Sequence, residues 1–218
     1  MYILKIDDEM YNEIFKEEVK EKPVDNIIKL NTSIISTTIY EWMSSIFLAF
    51  IIVIILLISV FRLIDVDGTS MEPTLIDTDK VIVTNLFYQP HNNDIIVISH
   101  GEVYNKPLVK RIIATEGQTL KIDFKTNEVY VDGILLQEDY IQGITCEGNA
   151  EIPEVIPEGK VFVMGDNRTV SMDSRYKDVG LIDVDSIIGK AQFVVVPHRL
   201  SEDGKPILDL SLIRFLYN

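Results

Sequence analysis

Leu108-Val109-Lys110-Arg111-Ile112-Ile113-Ala114 is an apolar, β-branched run interrupted by two adjacent cations. Side chains on a strand alternate, so Lys110 shares a face with Leu108, Ile112 and Ala114, while Arg111 points the other way with Val109 and Ile113. A lysine on an apolar strand face is costly when charged, and full burial lowers its pKa by up to about 3–5 units. Such an amine can act as a general base near neutral pH. A lysine at a strand edge whose amine reaches back to water gives the same pattern, and this stretch alone leaves both readings open.

Working outward, the same texture recurs. Residues 80–88, 94–100, 107–115 and 119–124 are short β-branched runs separated by Gly, Pro and Asn turn signals. Residues 128–131 and 134–136 flank Asp132-Gly133, a two-residue hairpin signal, and 160–164 and 187–196 read as further strands. Many short strands with brief turns predict a mainly β domain, an antiparallel β-sandwich or open barrel. Residues 125–159, richer in acid, Gly and Pro, read as a small inserted lobe.

Before these strands lies a segment of a different kind. Residues 42–61 hold no charged side chain and are apolar all round. About 20 helical residues span about 30 Å, the thickness of a bilayer core. Tyr40 and Trp42 stand where an interfacial aromatic anchor would, and Arg62 closes the far end. The run is longer than a signal-peptide core and no A-x-A-like site follows it, so an uncleaved anchor is expected. Lys22 and Lys29 before it barely differ from Arg62 and Lys80 after it, so the charge balance does not orient it. Residues 1–41 carry five Lys against nine Asp/Glu and read as an acidic tail. Pro23 breaks this tail, and short helices fit around 10–22. The expected organisation is a tail (1–41), a transmembrane helix (42–61) and one domain (62–218).

The net charge of −14 argues against a nucleic-acid partner, which needs a basic surface. Cys146 is the single cysteine, so no internal disulfide is available, and it reads as a packed or incidental thiol. His91, His100 and His198 are scattered and read as surface or loop residues, with no metal-binding spacing. The end of the chain, 211–218, is too short for a second span.

Two further stretches bear on chemistry. Asp67-Gly68-Thr69-Ser70-Met71-Glu72-Pro73-Thr74-Leu75 sets a serine between a glycine turn and a proline bend, which stiffen and expose the backbone around it. That suits a nucleophile and also describes an ordinary turn. Gly165-Asp166-Asn167-Arg168-Thr169-Val170-Ser171-Met172-Asp173-Ser174-Arg175 packs short polar groups and two arginines directly after an apolar strand. Asp173 and Arg175 can pair and pin this loop, which could then orient a lysine. An ordinary solvated turn carries the same residues, and exposed pairs contribute little.

Taken together, Gly68-x-Ser70-Met71-x-Pro73-Thr74-Leu75, then Lys110-Arg111, then the 165–175 stretch resemble the three boxes of bacterial type I signal peptidases. The preceding anchor also matches, as do Gly180 and Ile188-Gly189-Lys190-Ala191. The resemblance covers roughly 61–197, and the order and spacing of the boxes carry it. It implies a membrane-anchored serine endopeptidase with a Ser–Lys dyad and no cofactor or metal. Ser70 would be the nucleophile and Lys110 the general base. Ser171 would hydrogen-bond the lysine ammonium, Asp173 and Arg175 would form the supporting ion pair, and Asp166 would help hold that loop. Arg111 and Met71 match family positions and are expected to be structural.

The resemblance also implies secreted preproteins as substrates, cut after a small-x-small (Ala-x-Ala) site. The signal peptide would add to strand edges in extended form. It further implies a monomer in the cell membrane, with the N-terminus cytoplasmic and the catalytic domain outside. An apolar rim resting on the outer leaflet is expected, with Phe61, Leu63 and Ile64 near enough to contribute. One departure stands out: Gly68 occupies the place of a side-chain oxyanion donor, as in the Gram-positive branch. The Ser70 N–H is then the evident donor and a second is unassigned. The alternatives are a peptidase dedicated to a few substrates such as pilin precursors, a self-cleaving repressor of the SOS type, and a non-catalytic membrane-anchored β domain. The repressor would need an N-terminal DNA-binding helix-turn-helix in place of an acidic tail and a span.

Overall fold

A computed structural model describes residues 24–99 and 106–216. The helices fitted around 10–22, most of the acidic tail and His100 lie outside the described residues. The chain divides into two compact units, Met1–Leu56 and Leu57–Asn218.

The first described element is a helix, α1 (Val24–Val60), so helical structure starts well before the expected 42. No proline or glycine interrupts 24–60, and Pro23 stands just ahead of the first helical residue, where a missing N–H costs nothing. Within α1, Thr37–Val60 is long and apolar enough to cross a membrane. Its large side chains, among them Trp42, Phe47, Phe50, Ile54 and Leu57, are exposed, with no face covered by protein. An apolar helix uncovered all round suits lipid.

The rest is mainly β, numbered in chain order. It comprises β1 (Phe61–Asp65), β2 (Lys80–Thr84), β3 (Ile95–Ile98), β4 (Leu108–Ala114), β5 (Leu120–Asp123), β6 (Glu128–Val131) and β7 (Ile134–Leu135). After these come β8 (Lys160–Met164), β9 (Ile182–Asp183), β10 (Ile187–Val196), β11 (His198–Leu200), β12 (Pro206–Leu208) and β13 (Arg214–Phe215). One antiparallel eight-stranded sheet runs β1-β2-β10-β3-β4-β8-β9, with β13 also on β10. Register shifts in β10 and between Ile112 and Ala114 of β4 bend these strands, as bulges do, so the sheet is curled and open rather than flat. The open-barrel expectation holds, and β6 and β8 lie where their β-branched runs put them.

A second small sheet, β5-β6-β7, carries the hairpin at Asp132-Gly133. Both turn residues have positive φ, 53° and 75°, the geometry that matches the twist of a two-residue hairpin. β11 and β12 pair as a separate ribbon.

Three buried clusters hold the domain. One joins Met71 and Leu75 to Val81, Val83, Val97 and Val109. A second gathers Ile96, Ile98, Ile112, Val161 and Val163. The third seats Phe162 and Met164 against Ile113, Val129 and Ile156. The serine-bearing loop is thus anchored in the same core as β4. Pairing of β4 with β8 begins only at Arg111↔Met164, so Leu108, Val109 and Lys110 have β3 on one side and no β8 partner on the other.

Candidate active site

Ser70 lies in the loop between β1 and β2. Val66 and Thr78–Asp79 close that loop with backbone hydrogen bonds of 2.8 and 2.9 Å, and Gly68 N–H donates to Asp77 Oδ1 at 2.8 Å. One residue after the serine, Met71 is buried, and Leu75 N–H donates to the Met71 carbonyl to form a tight turn. The Ser70 carbonyl accepts from Asn167 N–H at 3.0 Å. Core packing on one side and the 165–175 loop on the other therefore set the serine backbone.

Lys110 reaches this serine from the middle of β4. Its side chain does not return to water: the residue is 3% exposed, and Nζ lies 2.7 Å from Ser70 Oγ and 3.1 Å from the Val109 carbonyl. Burial lowers its pKa from 10.5 to about 8. Asp173 and Asp166 pull it back up, and the Arg175 guanidinium lowers it further. A hydroxyl at 2.7 Å from such an amine has a proton acceptor at hand near neutral pH.

The 165–175 loop is built on buried ion pairs, not on a solvated turn. Arg175 forks onto Asp173, with Nε and Nη2 each 2.8 Å from a carboxylate oxygen, and both side chains are fully buried. The same Asp173 accepts from Gly165 N–H at 3.0 Å. Arg111, behind Lys110, forks onto Asp166 at 2.8 and 2.7 Å and stacks on the Tyr140 ring. Asp166 also accepts from Thr74 Oγ1 at 2.5 Å. One carboxylate thus ties the loop to both other segments. Arg168, fully buried, pairs with Glu138 and donates to Thr145 Oγ1. Breaking a buried pair by removing one partner costs about 3–5 kcal/mol, so these contacts fix geometry strongly.

Gly165 shows how tight the assembly is. A Cβ there would fall 2.4 Å from the Ser70 carbonyl oxygen and 2.3 Å from Ser171 Oγ. Only glycine lets the loop approach the serine this closely.

All six residues singled out from sequence gather here. Ser70 and Lys110 touch; Asp166, Asp173 and Arg175 are paired as described, and Ser171 is buried beside them. The Ser171 hydroxyl makes no hydrogen bond, so the bond expected from it to Lys110 is not formed: the amine is taken up by Ser70 and Val109. Thr74 and Arg168 stood inside the motifs without a role, whereas Glu138 and Tyr140 carried no motif signal and meet their partners only through the fold. Among the described residues no group of three His, Cys, Asp or Glu could hold a metal, His91 is exposed and Cys146 is an exposed free thiol. His198 is not a free surface residue: its ring lies 3.3 Å from buried Asp79.

Residues 39–196 match the family described as signal peptidase, peptidase S26. A signal peptidase I of Bacillus licheniformis is 35% identical over 171 residues, spanning 73% of this chain and 90% of that relative. Signal peptidase IB of Staphylococcus aureus (strain COL) is 35% identical over 173 residues, spanning 71% and 88%. A crystal structure of a signal peptidase I from Enterococcus faecalis V583 is 29% identical, with a TM-score of 0.39, over 47% of this chain and 97% of that one.

Proposed function

This chain belongs to the signal peptidase family, peptidase S26, and on that premise we propose that Ser70 and Lys110 are the dyad with which it removes signal peptides from preproteins. The observation that carries the assignment is the 2.7 Å approach of Lys110 Nζ to Ser70 Oγ, with the lysine buried and its pKa lowered to about 8.

The steps follow from that contact. Neutral Lys110 takes the Ser70 proton as Oγ attacks the scissile carbonyl. The Ser70 backbone N–H, which donates to no described acceptor, is free to hold the oxyanion. The Lys110 ammonium then returns its proton to the leaving amine, giving a free amino end and an acyl-serine. A water takes the amine's place, Lys110 removes its proton, and the released acid regenerates the hydroxyl. Asp166, Asp173 and Arg175 hold the loop in register. Ser171, buried and unpartnered, is placed to accept from the ammonium once the lysine is charged.

The substrate is an extended segment cut after a small-x-small site, seated by strand addition along the unpaired flank of Leu108–Lys110. The protein is a single-pass monomer anchored by α1 in the cell membrane. Its acidic N-terminal tail is cytoplasmic, its peptidase domain with the lobe at 125–159 lies outside, and its partners are preproteins and the bilayer. The assembled dyad weighs against a non-catalytic β domain.

The test is cleavage of a purified preprotein with an Ala-x-Ala site by the detergent-solubilised full chain. Wild type should cut after the second alanine, and Ser70→Ala and Lys110→Ala should not. Cutting by either variant would remove the dyad. No cutting of any preprotein by wild type would remove the reading.

A further inference from the structure

The segments that bring Ser70 and Lys110 together meet a second time. Lys106 Nζ forms an ion pair with Asp67 Oδ2. Asp67 stands three positions before the serine and Lys106 four positions before the lysine, so two contacts bracket one slot: the dyad at one end and this pair at the other. Between them the β4 flank is unpaired on the β8 side, and Leu108, half-buried, lies on the alternation shared with Lys110.

The slot has the dimensions of one guest strand. Strands flanking a guest stand about 9.5 Å apart, twice the usual spacing. A lysine side chain extends about 6 Å, by the covalent geometry of its four-carbon stem, so both contacts here are lysines reaching across. Along the slot, Asp67 to Ser70 covers about 10 Å of extended chain, or about three residues. A substrate strand ending at the scissile carbonyl therefore runs three residues beside the slot walls, and its fourth residue back from the cut meets the Asp67–Lys106 pair.

Resting on the signal-peptidase reading, we infer that Asp67 and Lys106 form the far end of the substrate slot and set which charges the enzyme accepts at the fourth residue before the cut. The pair is exposed, with side chains 75% accessible for Lys106 and 60% for Asp67. A substrate side chain can thus open it and re-pair with either partner. Asp77 also acts on the Lys106 charge, so the wild-type balance is set by these three groups.

The experiment uses the full chain in detergent and three preproteins that differ only in Ala, Lys or Glu at that fourth residue. The readout is the ratio of kcat/KM for the Lys and Glu forms, with the Ala form as reference. Lys106→Glu, which faces Asp67 with a second carboxylate, should raise the Lys/Glu ratio about threefold to fivefold, the scale of an exposed ion pair. Asp67→Lys should lower it by a similar factor. The double swap Asp67→Lys/Lys106→Glu should return it close to wild type, and both single effects should shrink in high salt. Ratios unmoved in both single variants, or a double swap that does not return, would overturn the inference while leaving the peptidase reading intact. Failure of wild type to cut all three would instead remove that reading, and this one with it.

Discussion

The carbonyl oxygen of Ser70 occupies the space a side chain on Gly165 would need, at 2.4 Å from an ideal Cβ position, and Asn167 N–H donates to that carbonyl at 3.0 Å. The loop and the nucleophile are in backbone contact, so the serine's geometry depends on a residue that does no chemistry.

Gly165→Ala should therefore act on catalysis first. Overpacking costs about 1–3 kcal/mol, and a shift of about 1 Å in a reacting group can cost about a hundredfold in rate. Cleavage should fall by about that factor, with a moderate drop in the unfolding temperature. A variant with wild-type kcat would show that the contact is slack.

The pH profile follows from Lys110. The lysine must be neutral to take a proton, so kcat/KM should rise with pH up to about 8 and level off above it. Stability moves in the same direction for a related reason. Between about 8 and 10.5 the unfolded chain still holds the lysine proton and the folded chain does not, so stability rises with pH through that window. Lys110→Met should abolish cleavage, flatten this part of the stability profile and raise the unfolding temperature at pH 7. A profile centred on the ordinary lysine value would contradict the burial.

Ser171→Ala separates positioning from folding. Its hydroxyl has no partner in the resting site, so removing it should change stability by less than about 0.5 kcal/mol. If it meets the ammonium during turnover, kcat should fall about tenfold to a hundredfold with KM little changed. Equal losses in stability and rate would assign it to packing.

Glu138 is expected to matter although it touches neither Ser70 nor Lys110. Glu138→Ala leaves the buried Arg168 guanidinium without its carboxylate, at a cost of about 3–5 kcal/mol. Thermal unfolding should register this directly. Glu138→Asp, which keeps the charge, should recover part of it.

Much of this arrangement was legible because it is local. Alternation placed Lys110 and Arg111 on opposite faces, and the structure uses that split: one reaches Ser70, the other Asp166. β6, β8 and β10 were readable from β-branched runs with clear turn signals. β1 was not, because Phe61–Asp65 continues an apolar segment with no turn between them. β11 to β13 were not, because a proline-containing ribbon and a two-residue strand leave little periodicity to read. The roles of Glu138 and Tyr140 were hidden for another reason: each is defined by an arginine from a distant segment, and no spacing rule links them.

The double duty of Asp166 has an engineering consequence. It holds Thr74, four residues past the nucleophile, and Arg111, next to the base, so the reach between serine and lysine is clamped from outside the chain that joins them. The turn after β2, with Leu86 and Phe87 exposed, is then free to be lengthened, shortened or recut. Loops there can be exchanged between relatives, or a reporter spliced in, without retuning the catalytic pair.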